Sequence, residues 1–462
     1  MKKFIAGSFI LLFSVLNIQN AGAETINFDS IIQKALDNSF DLKTSDINVE
    51  ISKSRVDKAK TDYLPVVKTG LYTEYSQSLS KSDQTESIGD TVITPDTKMQ
   101  SMLNTSVSYN IFDFGQRKRN LMMAQDDIEA KQSICAVKRR DLKLKIIDLY
   151  SNTLMNFKDL MAKEQIASVY NEIARYKGDQ FISGNATKLD TIDYSINEAK
   201  INNEIEDLRM KLVSSLRDLS YYTNEEYNPD EVVISDFEER KSIPVKDKEP
   251  SIKNKNVYQL RVEKQDAVKP GEISLNLKYT PDYKSYQYKI DKKDKELEIL
   301  TRENLPKVGM YMNYTLSGKD ENNIVRSFQD FQNKNLALGL STTFTPFDGI
   351  KTSADKRKVK LEIKKLKMER DQALADLKSK LDKLNEELVY YQRTYESNRK
   401  LLALLVDKLA ELKRIAETHP ENYEEILNEQ IKLISQQLEI EKKLVNRAAV
   451  IKKNQIILEE IE

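Results

Sequence analysis

Side chains able to do chemistry are few in this chain. There is one cysteine, Cys135, and one histidine, His419, so no internal disulfide or histidine-rich metal site can be assembled, and no Ser-His-Asp set is evident around the single histidine. Cys135 lies in a helical pattern and reads as a small packed side chain; His419 precedes Pro420 in a turn and reads as solvent-exposed. The phosphate-binding pattern Gly-x-x-x-x-Gly-Lys-Ser/Thr does not occur. The one suggestive spacing is Asp190 with Asp193, a turn apart on one helix face shortly after Gly184 and Leu189. Two such carboxylates can bind a cation; equally, they suit a helix's first turn, where the macrodipole favours acids. Neither an enzyme nor a cofactor is expected.

The elements that carry these residues are mostly long helices. Nearly a third of the residues are charged, there is no tryptophan, and only 12 are glycine. This composition suits solvated helices better than thick globular cores. Lysine plus arginine equals aspartate plus glutamate at 73 each, so no basic field for nucleic acid is expected. Lys2 and Lys3, the apolar run Phe4 to Leu16 and Ala21-Gly22-Ala23 have the layout of a cleavable export signal over residues 1–23.

A seven-residue repeat runs through Leu374, Leu377, Leu381, Leu384, Leu388, Tyr391 and Tyr395, breaks at Asn398, and resumes through Leu402, Leu405, Leu409, Leu412 and Ala416. Alternating steps of three and four predict one apolar stripe and a left-handed supercoil. The stretch from about 350 to 418 lacks proline and glycine until its end, and as one helix it would be roughly 100 Å long. A weaker twin spans about 116–176. Shorter helices are predicted near 29–60, 187–221, 283–303 and 423–461.

Between the short and long helices of each half the period changes to two. Val67, Thr69, Leu71, Thr73 and Tyr75 alternate with polar residues, as do Leu103, Thr105, Val107, Tyr109 and Ile111. In the second half Val308 to Leu316 and Leu336 to Phe344 alternate likewise. Each predicted strand has one apolar and one polar face and is about the ten residues needed to cross a bilayer at a tilt. Four strands cannot close a membrane barrel, whose smallest forms need about eight, so several chains must share one. The segments around Ser80 to Lys98 and Ser317 to Asn333 are polar and are expected to be the loops between paired strands.

Punctuation repeats with the elements. Pro65 and Pro306, each after leucine, end the short helices; Phe112-Asp113-Phe114-Gly115 and Phe347-Asp348-Gly349 open the long ones. Proline removes a helix donor, and Asp-Gly elements suit a strand-to-helix turn with an acid near the helix start. The domain reading is therefore 1–23 signal, 24–222 first repeat, 223–281 an inter-repeat segment rich in charge and proline, and 282–462 second repeat.

Helix, Leu-Pro, strand, loop, strand, Phe-Asp turn, long helix, turn, helix, given twice, resembles the TolC family of outer-membrane efflux proteins over nearly the whole chain. The resemblance implies a mainly α fold with a membrane β-barrel. It further implies a homotrimer with twelve strands, four per chain, and a helical barrel crossing the periplasm. Such a trimer would meet a periplasmic adaptor and an inner-membrane transporter, in contact with outer-membrane lipid and no nucleic acid. Residues Gly184 to Asp193 are similar to the family's turn motif, and by threefold symmetry Asp190 and Asp193 would form acidic rings at a gated, adaptor-contacting tip.

At the second tip His419-Pro420 stands in place of the family's glycine. Glu425 replaces the first acid, while Asn428 is uncharged. Tyr423, Arg175 and Arg414 are candidate partners for the acids. The segment 223–281 would correspond to a belt around the tunnel, the alternative being a disordered linker. A periplasmic coiled-coil scaffold or chaperone outside the membrane stays open as a second function.

Overall fold

The computed structural model describes residues 24–76, 98–237, 277–320, 323–329, 331–417 and 422–459. The expected signal, His419 with Pro420, most of the first strand-to-strand loop and residues 238–276 lie outside the described residues. In chain order the elements are β1 (Glu24–Ile26), α1 (Phe28–Asn38), α2 (Phe40–Thr61), β2 (Val66–Ser76), β3 (Lys98–Phe112), α3 (Gln116–Ile182), α4 (Lys188–Thr223) and β4 (Val232–Ile234). A 3-10 turn (Leu277–Tyr279) then leads to α5 (Pro281–Thr301), β5 (Lys307–Asp320), α6 (Ile324–Gln329), β6 (Asn333–Thr343), α7 (Lys351–Ala416) and α8 (Tyr423–Leu458). The fold is mainly helical, and α3 and α7 have 67 and 66 residues.

Two local results differ from the sequence pattern. The helix expected over 29–60 is two, because Ser39 takes extended backbone while its N–H bonds to the Ala35 carbonyl at 3.1 Å. The long helix α7 is continuous as expected, and Asn398, the break in its heptad stripe, accepts at its carbonyl from Gln436 Nε2 at 3.4 Å. The loop expected from Ser317 is partly strand, since β5 continues to Asp320, and it also holds α6.

The chain forms two compact units. One comprises 1–43, 137–279 and 376–462. Its core joins Phe28, Ile31 and Ala35 of α1 to Ile146, Ile147, Tyr150 and Leu154 of α3, Leu212, Leu216 and Leu219 of α4, and Val445 and Ala449 of α8. At its centre Tyr150 is fully buried among Phe28 and Phe237, with ring centroids 5.4 and 5.2 Å away, and donates its hydroxyl to the Ser235 carbonyl at 2.7 Å. Beside it β1 and β4 pair in parallel, Ile26 opposite Ile234. The inter-repeat segment therefore begins with a strand packed on the helices. Elsewhere in this unit the heptad residues Leu409 and Leu412 of α7 pack on Ile426 and Leu433 of α8.

The second unit comprises 44–136 and 280–375 and contains a four-stranded antiparallel sheet, order β2-β3-β5-β6. Its register decides which residues share a face. Leu71 stands opposite Leu103 and that opposite Leu316; Val67 opposite Val107, then Met312, then Leu338; Tyr109 opposite Met310, then Leu340. The alternating residues of the four strands thus merge into one apolar face. The reverse carries Asn104, Ser106, Ser108, Asn313, Asn335 and Ser341 among its residues. Near its loop end the apolar face meets α6, where Ser101 and Ser327 are buried and bonded at 2.6 Å, whereas Leu71, Leu338 and Leu340 are 58, 68 and 70% exposed among the described residues.

In the same unit Ile290 of α5 packs on Val359 and Ile363 of α7. Asp127 of α3 is held by Ser52 and Arg55 of α2 at 3.0 Å each and by Lys292 of α5 at 2.7 Å. Cys135 is buried and donates to Asp46 Oδ1 at 3.2 Å.

Candidate functional site

The residues singled out by the sequence occupy two kinds of place, the strand-to-helix turns of the sheet-bearing unit and the helix reversal of the other. Pro65 and Pro306 stand directly before β2 and β5, where neither has to donate to a helix. Asp113 accepts the Arg117 N–H at 3.0 Å, and Asp348 accepts the Thr352 N–H at 2.8 Å. Each aspartate therefore satisfies an orphan donor in the first turn of a long helix, four residues on.

Two consecutive left-handed residues follow each aspartate, Phe114 and Gly115 with φ of 54° and 78°, and Gly349 and Ile350 with φ of 68° and 75°. The turns are built alike, but glycine occupies the second left-handed position in the first and only the first position in the second. Ile350 stands where Gly115 would be expected. Phe112 ends β3 and packs its ring on Phe114 at 4.7 Å, while Phe347 is 76% exposed.

Burial alone pushes the Asp113 carboxyl up, but the backbone N–H and guanidinium of Arg117 and the N–H of Gly115 outweigh it and hold the group below its ordinary 3.8. A carboxyl that titrates lower when folded contributes fully above the unfolded value and loses that contribution as pH falls through the folded one. Asp113→Asn is accordingly expected to lower stability by about 1–3 kcal/mol at pH 6. The gap to the parent should narrow as pH drops below about 4, which denaturant unfolding at successive pH values will read.

At the reversal between α3 and α4, Gly184 has φ of 78° and ends α3 as a left-handed cap. The Asn185 N–H reaches the Gln180 carbonyl at 2.8 Å and the Gly184 N–H reaches the Phe181 carbonyl at 3.1 Å, the two bonds of a Schellman motif. Leu189 is 72% exposed, and Asp193 and Glu425 are exposed as well. Asp190 is in α4, but its side chain lies outside the described residues. Around the reversal Phe181, Ile182, Ile192 and Ile196 also expose apolar side chains.

The acid that the structure ties down is Glu424, next to the Glu425 singled out by sequence. Glu424 pairs with Lys177 of α3 at 2.5 Å and accepts from the Tyr194 hydroxyl of α4. Tyr423 donates to Glu172 and stacks edge-on against Tyr176 at 5.1 Å. The start of α8 is thereby fastened to both helices of the first hairpin. Of the candidate partners, Tyr423 meets an acid of α3, Arg414 pairs with Glu411 on its own helix, and Arg175 is exposed. Lys177, Tyr194 and Glu424 went unselected because contacts between distant helices obey no sequence spacing. Among the described residues no group of His, Cys, Asp and Glu is arranged to hold a metal ion.

The chain thus combines long helical hairpins, a four-stranded meander and paired Phe-Asp turns. Residues 31–225 match the profile of the family described as outer membrane efflux protein. Three solved structures share the fold. CusC is 13% identical, with 96% of this chain and 95% of that one covered and a TM-score of 0.70. A membrane protein from Pseudomonas aeruginosa is 14% identical, with 93% of each chain covered and a TM-score of 0.72. The outer membrane protein VceC of Vibrio cholerae is 13% identical, with 92% and 96% covered and a TM-score of 0.66. At such identity these likenesses carry the fold alone. No curated protein matches the chain in sequence.

Proposed function

We propose that three copies of the chain form a passive conduit for efflux or type I secretion. Four strands from each would close one twelve-stranded barrel in the outer membrane. The long helices would line a periplasmic tunnel that meets a periplasmic adaptor and an inner-membrane transporter. The observation that carries this reading is the sheet, with the exposed leucines of its apolar face and, among the described residues, its unpaired edges β2 and β6. In lipid an open edge leaves backbone groups unpaired at several kcal/mol each, and four strands fall short of the roughly eight of the smallest membrane barrels. Neighbouring copies, β6 of one beside β2 of the next, supply the missing partners.

In this reading residues 24–222 and 282–462 are two structural repeats, and 223–281 contributes to a belt between them. The tips at Gly184 to Asp193 and around Glu425 act as gate and adaptor contact, their exposed apolar side chains awaiting a partner. Asp190 and Asp193, repeated three times, would ring the constriction and attract cations. Transport energy comes from the partner pump. A periplasmic scaffold or chaperone would account for the helices and leave the apolar sheet face without a purpose. The full-length protein should therefore need detergent for extraction and run as a heat-modifiable trimer; a monomer that leaves with the soluble periplasm would overturn the proposal.

A further inference from the structure

The two strand-to-helix turns share a backbone design and differ in what their side chains have left over. After the first turn two of the three bases are paired within the protein, and only Lys118 is exposed. Arg117 pairs with Asp113 at 2.9 Å and lies over the rings of Tyr63 and Tyr109, and Arg119 pairs with Glu298 at 2.6 Å. After the second turn five bases occur within ten residues, Lys351, Lys356, Arg357, Lys358 and Lys360, against the single acid Asp355. Four of them, all but Lys356, are exposed, and the first ion pair along α7 comes only at Glu362 with Lys293.

The apolar residues differ in the same direction. Phe344, Phe347 and Ile350 are 56, 76 and 67% exposed, and they follow directly from the apolar face that ends in β6. Ile350 holds a left-handed backbone with φ of 75°, an outlier for a β-branched residue. Its side chain projects into solvent, so little packing among the described residues offsets it. Seating that side chain at the edge of the hydrocarbon would.

We propose that the turn Phe347 to Lys351, with Arg357 and Lys358, is a docking site for anionic phospholipid headgroups at the periplasmic rim of the barrel. The inference rests on the membrane reading above. Phe347 and Ile350 enter the acyl boundary as girdle residues do, and the bases of the first two turns of α7 meet headgroup phosphates. Juxtamembrane Lys and Arg clusters select anionic over zwitterionic lipid in this way. Lys351 and Lys358, seven residues apart, share one side of α7, and Arg357 stands about 100° round the helix from Lys358.

The test uses the full-length protein in a neutral detergent, with phosphatidylglycerol or phosphatidylcholine added to the micelles and the thermal unfolding midpoint as readout. Phosphatidylglycerol should raise the midpoint by several degrees and phosphatidylcholine should not. The variant Lys351→Gln, Arg357→Gln, Lys358→Gln should stay trimeric with an unchanged midpoint in detergent alone and lose most of the phosphatidylglycerol response. Ile350→Gly should gain stability in detergent alone, where only strain is relieved, and lose that advantage in lipid. Equal responses to the two lipids, a full response in the triple variant, or the same shift from free glycerol phosphate would each overturn the proposal. A trimer that ignores phosphatidylglycerol defeats this site alone, whereas a detergent-free monomer defeats the membrane reading with it.

Discussion

Leu338→Lys is expected to abolish assembly into heat-modifiable trimers, whereas Ala337→Lys, one residue away, is expected to be tolerated. Leu338 lies opposite Met312 on the apolar face of the sheet, and Ala337 opposite Asn313 on the polar one. In water a substitution at a residue already 68% exposed changes stability by no more than about 0.5 kcal/mol. On the lipid face of a barrel near the bilayer midplane, lysine costs roughly 2–4 kcal/mol. A trimer carries that cost in every copy, and a shared barrel cannot confine it to one subunit. Mobility of unheated samples in denaturing gels, with urea unfolding in lipid vesicles, separates the cases. Equal behaviour of the two variants would mean that the sheet does not face lipid.

Tyr423→Phe combined with Glu424→Gln is expected to give channels of severalfold larger conductance in planar bilayers. The two residues tie the start of α8 to Glu172 and Lys177 of α3 and to Tyr194 of α4. The Tyr423 hydroxyl is pushed up to about 12 by burial first and then by the Glu172 carboxylate, so it keeps its proton and donates throughout the physiological range. Hydrogen bonds with a charged partner are worth about 1.5–3 kcal/mol each, and three copies multiply whatever they contribute to a closed arrangement. Conductance equal to that of the parent would show that these contacts only pack the hairpins. In the same recordings Asp190→Ala with Asp193→Ala addresses the acids; unchanged conductance and cation block would retire their role.

How far the sequence reveals such features depends on whether they are local. The long helices were legible because heptads and freedom from breakers are properties of contiguous residues: α7 occupies Lys351–Ala416 and carries Leu377, Leu381 and Leu384 on its buried stripe. The strands announced themselves by period two, and the register brings Leu71, Leu103 and Leu316 into line. Asp113 and Asp348 were legible as caps for the same reason. By contrast, β1 and β4 are three residues each and have no period to detect; their pairing is a tertiary fact. Ser39 divides α1 from α2 without glycine or proline. Glu424 and Glu425 are indistinguishable until Lys177 and Tyr194 arrive from α3 and α4. The left-handed Ile350 was invisible because sequence expects glycine at such a φ, and Gly349 beside it met that expectation one residue too early.

The parallel pair of β1 with β4 has a bearing on how the molecule matures. Glu24 to Ile26 find their partners only about two hundred residues further along, at Val232 to Ile234. Contacts so distant in sequence must await loop closure and form slowly compared with local helix formation. Residues Glu24 to Ile26 therefore stay undocked until α3 and α4 have formed and β4 has been brought back to them, which leaves this strand open to proteases and holding chaperones for that interval.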